Sequence, residues 1–248
     1  RSSDLCELQD LAYRYQVQTL GMPQKECEYE MERANPFIIR DFSRCILCGR
    51  CVKACREIQV NNAIEFGPKG DKIIARNDST LKDSDCVFCG ECLQVCPVGA
   101  LVPDKSFRDE RFKDTRKVRT TCSFCGVGCQ MDLFVQDNKI VKVAGSDTEL
   151  PPNNGSLCVK GRFGYEFVAS PERLTTPLIK RDGKHVEATW DEALDLVAAK
   201  LIAIKDEFGP EQLGVLTSAR VTNEDNYIAN KFARAVLKTN NIDHCARL

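Results

Sequence analysis

The sequence predicts an α+β chain in which small cysteine-bearing modules give way to an α/β layer. Three observations carry that expectation. One four-cysteine motif occurs twice, a third cysteine group flanks two short strand patterns, and from residue 189 amphipathic helices alternate with a strand.

Residues 1–35 are polar and helix-compatible, with Leu5, Leu8, Leu11, Ala12 and Tyr15 at helical spacing. Cys45-x-x-Cys48-x-x-Cys51-x-x-x-Cys55 then returns 41 residues later as Cys86-x-x-Cys89-x-x-Cys92-x-x-x-Cys96, followed by Pro97. Residues 105–119 mix Lys105, Arg108, Arg111, Lys113, Arg116, Lys117 and Arg119 with acidic residues, the composition of a solvated linker rather than a nucleic-acid patch. The third group is Cys122-x-x-Cys125-x-x-x-Cys129, with Cys158 following after 28 residues. Inside it, Met131 to Val135 and Lys139 to Ala144 read as strands around a turn at Asp137-Asn138, and Pro151 to Gly155 as loop.

Thr189 and Glu192 form a capping box that opens a helix. Trp190, Leu194, Val197, Leu201, Ile204 and Phe208 mark one face of it, expected to pack as core, and Gly209-Pro210 stops it. Leu213 to Thr217 reads as a buried strand, and 223 to 237 as a second helix carrying Tyr227, Ile228, Phe232 and Val236. A strand between amphipathic helices predicts a parallel α/β layer.

Over 248 residues the composition is that of an ordinary globular protein, 43% hydrophobic and 29% charged. A net charge of −1 gives no reason to expect nucleic acid or an anionic membrane as partner. No apolar run approaches the roughly 18 to 20 residues that span a bilayer. Fifteen cysteines are the outlier. Their C-x-x-C triplets point to metal rather than disulfides, which fits a reducing compartment. The chain begins at Arg1 with no signal peptide or twin-arginine stretch, and an upstream part is expected.

A cubane cluster needs four converging thiolates. C-x-x-C-x-x-C wraps one loop around three corners, so the fourth ligand comes from elsewhere, and in a duplicated motif each triplet borrows the distal cysteine of the other. Cys45, Cys48, Cys51 and Cys96 are thereby assigned to one cluster, and Cys86, Cys89, Cys92 and Cys55 to another. Cys122, Cys125, Cys129 and Cys158 form a third set. Zinc is the competing metal, but its all-cysteine sites usually pair two C-x-x-C knuckles. Gly49 and Gly90 either let backbone amides reach the sulfurs or serve only the turn. Lys160 places a cation two residues past Cys158, as a cofactor bridge or a surface lysine. Cys6, Cys27, Cys245, His185 and His244 have no local ligand partners and are read as structural.

The stretches Cys122-Ser123-Phe124-Cys125-Gly126-Val127-Gly128-Cys129, Leu157-Cys158-Val159-Lys160-Gly161-Arg162 and Thr189-Trp190-Asp191-Glu192-Ala193-Leu194 resemble the molybdopterin oxidoreductase family. Ser218-Ala219-Arg220, Thr222-Asn223-Glu224 and Asn240 to Leu248 resemble, more narrowly, a formate dehydrogenase catalytic subunit of the cytoplasmic type. The resemblance runs from Cys6 to Leu248 and implies five segments. These are a remnant of an upstream iron–sulfur region (1–35), a ferredoxin domain with two 4Fe–4S clusters (36–104), a linker (105–118), the family's 4Fe–4S domain (119–175) and the start of its molybdopterin-binding α/β domain (176–248).

The same resemblance implies a molybdenum or tungsten bis(molybdopterin guanine dinucleotide) centre in the longer protein, interconverting formate and carbon dioxide. Lys160 matches the lysine between cluster and pterin, which favours the bridging role; Arg220 and Asn223 match a stretch near the guanine dinucleotide. Cys6 matches the last ligand of a cluster whose other ligands would lie upstream. The implied partner is an electron-transfer subunit: an NAD(P)-reducing flavoprotein, a ferredoxin or a hydrogenase subunit. The residue after Cys-Ala-Arg-Leu in such enzymes is the metal-binding cysteine or selenocysteine, so the codon following Leu248 is expected to be UGA, with a cut fragment as the alternative. The competing class is a non-catalytic electron carrier like the large iron–sulfur subunit of respiratory complex I. Iron-only hydrogenases share the front portion, but their cluster motifs do not follow residue 120.

Overall fold

A computed structural model describes residues 11–12, 14–17, 29–106, 115–146 and 149–245. Cys6, Cys27, the middle of the expected linker, most of the expected N-terminal helix and the last three residues lie outside the described residues. The chain divides into two compact units, one of residues up to 122 with 129–166, the other of 123–128 with 167–248.

The first unit opens with the duplicated motif, built as two strand–helix–strand passes. Strands β1 (Ile38–Arg40) and β2 (Ile64–Phe66) flank a one-turn helix α1 (Arg50–Lys53), while β3 (Ile73–Ala75) and β4 (Leu101–Pro103) flank α2 (Glu91–Gln94). The passes interlock because β1 pairs antiparallel with β4, Ile39 opposite Val102, and β2 with β3, Glu65 opposite Ile74. Three-residue strands bury little, so the core gathers Ile38, Ile64, Ile73, Leu81, Leu93 and Leu101 around the cysteines themselves, Cys51 and Cys55 among the buried members.

A three-stranded meander follows: β5 (Arg116–Thr121), β6 (Gln130–Gln136) and β7 (Lys139–Gly145), in that order. The β6–β7 turn falls at Asp137-Asn138 as expected, both residues left-handed with φ of 48° and 60°, the conformation a tight two-residue hairpin requires. The expectation of a solvated linker across 105–119 is corrected at both ends. Ser106 is buried and donates to the Val141 carbonyl (2.9 Å), and Lys105 pairs with Glu166. The charged run 116–121 is strand β5. Lys117 and Arg119 share one face of it, and both reach Asp132 on β6, which is 2% exposed, at 2.8 and 3.0 Å. The charges conceal the strand because their counter-ion sits on the neighbouring one. Helix α3 (Val159–Phe163) begins at Cys158 and closes this unit.

The second unit contains the hairpin β8 (Leu178–Arg181) and β9 (Lys184–Glu187), turned at Asp182-Gly183, which the sequence reading did not anticipate. Helix α4 (Trp190–Phe208) starts at the expected capping box: Glu192 N–H donates to Thr189 Oγ1 at 3.2 Å, and Thr189 N–H to Glu192 Oε2 at 3.3 Å. Strand β10 (Val215–Thr217) crosses through α5 (Asn223–Lys231) to a parallel neighbour, β11 (Ile242–His244), the expected parallel α/β unit. The apolar face of α4 is a correction. Expected to pack as core, it stands open, with Trp190 at 68% and Phe208 at 62% exposure. The β8–β9 hairpin, the β10–β11 pair and α5 leave that face uncovered among the described residues. Among the described residues no helix is long and apolar enough to cross a membrane.

Candidate functional site

The two cysteine loops adopt the same backbone. Leu47 (φ 57°) and Gly49 (72°) in the first repeat match Phe88 (51°) and Gly90 (73°) in the second, so left-handed residues alternate with right-handed ones on both sides of the middle cysteine. Such alternation turns successive N–H groups toward one concavity, the geometry that receives anions and cluster sulfurs. The amides act accordingly. Leu47 N–H donates to the Cys45 sulfur, its counterpart Phe88 N–H to Cys86, and Glu91 N–H to Cys89. Outside the loops, Ala63 N–H donates to Cys55 Sγ at 3.3 Å.

Each distal cysteine stands near the triplet of the other repeat. Cys96, from the second repeat, lines one apolar cavity with Cys45, Cys48 and Cys51 of the first, and Cys92 reaches the same cavity. It lies near enough to act electrostatically on Cys45 and Cys51. Reciprocally, Cys55 acts on Cys86, Cys89 and Cys92. Burial is the main cause that pushes the thiols of Cys45, Cys51, Cys86, Cys89 and Cys92 up, Cys51 to about 12 and Cys92 well above the ordinary range, with neighbouring cysteines adding to it. The first donor set fits an iron–sulfur cluster in its chemistry: its sulfurs line an apolar space, and backbone N–H groups donate to Cys45 and Cys51. Because burial disfavours bare thiolates, a cationic metal core is what would offset their charge.

The second loop is walled by side chains that the sequence reading missed. Phe163 and Arg162 of α3 both enter the duplicated module. Phe163 is 2% exposed and stacks at 5.2 Å on Phe37. Arg162, 3% exposed, donates from Nε to the Cys89 carbonyl (2.7 Å) and from Nη1 to Gln94 Oε1 (3.0 Å). Gln94 in turn accepts from Gly145 N–H and donates to the Gly155 carbonyl, both at 3.0 Å, tying α2 to the meander. Gly90 serves more than its turn here, since a Cβ on it would lie 2.2 Å from Arg162 Cδ. No local pattern could have disclosed Arg162, which stands 73 residues from Cys89.

Of the third set, Cys122 is buried and its N–H donates to the Cys129 carbonyl at 2.8 Å. Cys158 caps α3 and is exposed. Cys125 is also exposed and belongs to the second unit. The grouping of these four therefore rests on their spacing. Lys160 is the second residue of α3 and exposed. Arg220 and Asn223 lie, both exposed, on the crossing from the carboxyl end of β10 to the start of α5. Within that unit the Cys125 loop approaches the crossing so closely that a Cβ on Gly126 would sit 2.9 Å from the Ala219 carbonyl. Cys245 is beside Ser218, and hydrogen bonds from Ala219 and Ser218 hold its thiol below the ordinary value.

Comparison with known proteins accords with this layout. Residues 44–100 match the 4Fe–4S dicluster domain, 115–170 the molybdopterin oxidoreductase Fe4S4 domain and 173–248 the molybdopterin oxidoreductase domain. A Bacillus subtilis (strain 168) protein named "Probable oxidoreductase YjgC" is 36% identical over 98% of this chain and 28% of its own length. A Staphylococcus aureus (strain bovine RF122 / ET3-1) protein named "Putative formate dehydrogenase SAB2186c" is 33% identical over 98% of this chain and 28% of its own. The chain thus spans 28% of the length of these curated relatives. A chain of an NAD+-reducing nickel–iron hydrogenase overlaps 44% of this one and 47% of its own length, with 27% identity and a TM-score of 0.39. With the cysteine loops, the β meander and the parallel α/β crossing each falling inside its own matched domain, the chain belongs to the molybdopterin oxidoreductase family.

Proposed function

We propose that this chain is the iron–sulfur wire of a formate dehydrogenase, holding three 4Fe–4S clusters that pass electrons between a pterin-bound metal and a partner subunit. What supports the reading is proximity: Cys96 lines one apolar cavity with Cys45, Cys48 and Cys51, a cavity Cys92 also reaches, and Cys55 lies near Cys86, Cys89 and Cys92. When bound, the clusters supply one-electron carriers, and a molybdenum or tungsten bis(molybdopterin guanine dinucleotide) centre in the longer protein supplies the interconversion of formate and carbon dioxide.

The residues of this chain then have distinct tasks. The two exchanged sets hold clusters inside the duplicated module, where amides donated to the sulfurs favour the reduced state. Cys122, Cys125, Cys129 and Cys158 hold the third. Lys160, one turn-start beyond Cys158, lies on the path from that cluster to the pterin, and Arg220 and Asn223 approach the guanine dinucleotide. The electron partner is an NAD(P)-reducing flavoprotein, a ferredoxin or a hydrogenase subunit.

Anaerobic reconstitution followed by iron and sulfide counting tests the wire. About twelve irons per chain are expected from three cubanes. A preparation that takes up zinc and little iron would sink the reading. On the longer protein, formate-dependent reduction of an artificial acceptor with stoichiometric molybdenum or tungsten is expected. Full iron without either metal or turnover would move the assignment to a non-catalytic carrier of the complex I kind.

A further inference from the structure

A buried cation stands between two of the proposed clusters, and nothing in the wire as described uses it. Arg162 leaves α3 one turn after Cys158, threads past Gly90 and ends against the loop of Cys86, Cys89 and Cys92. It is held from the cluster side, by the Cys89 carbonyl at 2.7 Å, and by Gln94 at 3.0 Å. Its nearest carboxylate, Glu91, is 3.6 Å from Nη2, and that nitrogen makes no hydrogen bond although both residues are almost wholly buried. Glu91 is engaged by Ser156 as well. Desolvating a guanidinium costs several kcal/mol, and a single carboxylate at that separation offsets it poorly. The remaining counter-charge within reach is sulfur: Cys89, Cys92 and Cys158 all interact with Arg162. The cysteine set of the first repeat has a different buried cation, Arg40, which lines its cavity but is paired with Glu32 through Nε and Nη2; the position matching Glu91 there is Arg50, which is exposed.

We propose that Arg162 is a potential-setting residue, a shared cation that stabilises the reduced state of the cluster on Cys86, Cys89, Cys92 and Cys55 and, less strongly, of the cluster that includes Cys158. The inference rests on the cluster reading above. Reduction adds one negative charge to a cluster already carrying net negative charge through its thiolates. A fixed positive charge in a poorly solvated site lowers the energy of that added charge far more than it would in water. Arg is suited to the task because its charge persists on burial.

The test is an anaerobic redox titration of the reconstituted chain followed by electron paramagnetic resonance, with Cys55→Ser identifying the signal of the Cys86 set. Arg162→Met is expected to lower that cluster's midpoint most, the Cys158 cluster's less, and to leave the first-repeat cluster unmoved. Arg162→Lys keeps the charge while changing the hydrogen bonds, and is expected to recover most of the shift. Glu91→Gln removes the opposing charge and is expected to raise the same midpoint. Full iron with all three midpoints unmoved in Arg162→Met overturns the proposal, as does Arg162→Lys matching Arg162→Met. Should Arg162→Met fail to load iron, Glu91→Gln decides, and an unmoved midpoint there overturns it equally. A wild-type chain without clusters defeats the underlying wire instead, so the two failures are distinct.

Discussion

The two halves of the duplicated module share a backbone and differ in their walls. Both loops place left-handed residues on either side of the middle cysteine, at Leu47 and Gly49 and at Phe88 and Gly90. Yet Cys48 and Arg50 are exposed, whereas their counterparts Cys89 and Glu91 are half-buried and buried beside α3. Lys53, with an ion pair to Glu57 at 3.7 Å and 72% side-chain exposure, occupies the position that Gln94 fills with three hydrogen bonds, to Gly145 of the meander, Gly155 of the loop after it and Arg162 of α3. A repeat thus conserves how sulfur is presented and leaves the dielectric and charge around it free to differ. The second loop is walled by α3, whereas the middle cysteine of the first, Cys48, is exposed.

The largest effect should come from ligand pairs chosen to break the exchange. Cys45→Ser with Cys96→Ser is expected to remove one cluster, on the order of four irons, and Cys45→Ser with Cys55→Ser two, on the order of eight. Self-contained repeats would invert that pattern in an iron count. Next in size are the paired glycines. Gly90→Ala combines a left-handed backbone with a Cβ 2.2 Å from a pinned arginine, while Gly49→Ala meets Phe66 Cζ at 3.0 Å. Roughly 3 kcal/mol or more is expected for the former and about 1 to 2 for the latter in anaerobic denaturant unfolding. Equal losses would mean that the walls do not matter.

Smaller, and aimed at the walls alone, is Gln94→Ala against Lys53→Ala. The first strands the Gly145 N–H and one Arg162 nitrogen in a part-buried site, about 1 to 3 kcal/mol. The second loses an exposed ion pair, about 0 to 0.5 kcal/mol. Asp132→Asn perturbs the meander that backs the second repeat. Burial alone would raise this carboxyl, but the hydrogen bonds and charges of Arg119 and Lys117 hold it below the ordinary value. Its stabilisation is therefore complete above an unfolded value of about 3.9 and fades as pH falls through the lower folded one. Amide exchange over β5 and β6 should be faster in the variant by about tenfold at pH 6, with the gap narrowing in acid. A gap independent of pH would remove the ion pair from the account.

What could be read from the chain was whatever repeats or closes locally. The cysteine triplets, the hairpin at Asp137-Asn138 and the Thr189–Glu192 capping box all act over a few residues, so their spacing is their geometry. The β8–β9 hairpin carried a usable signal at Asp182-Gly183, masked by the lysines and arginines of its exposed strands. Strand β5 carried none, because its alternating charges make sense only beside Asp132 on β6. The apolar stripe of α4 was legible as a stripe, but its 68% exposed Trp190 shows that periodicity marks a face able to pack without stating what packs there.

The amino-acid order alone determined which sulfurs can share a loop, since two-residue spacers bend the backbone the same way wherever they occur. Which charges stand beside those sulfurs was decided only by tertiary structure, which carries Arg162 to Cys89 across 73 positions and Gln94 to Gly155 across 61. The reason is electrostatic: a loop's shape depends on its own torsions, whereas the energy of an electron placed in it depends on every buried charge nearby, however distant along the chain.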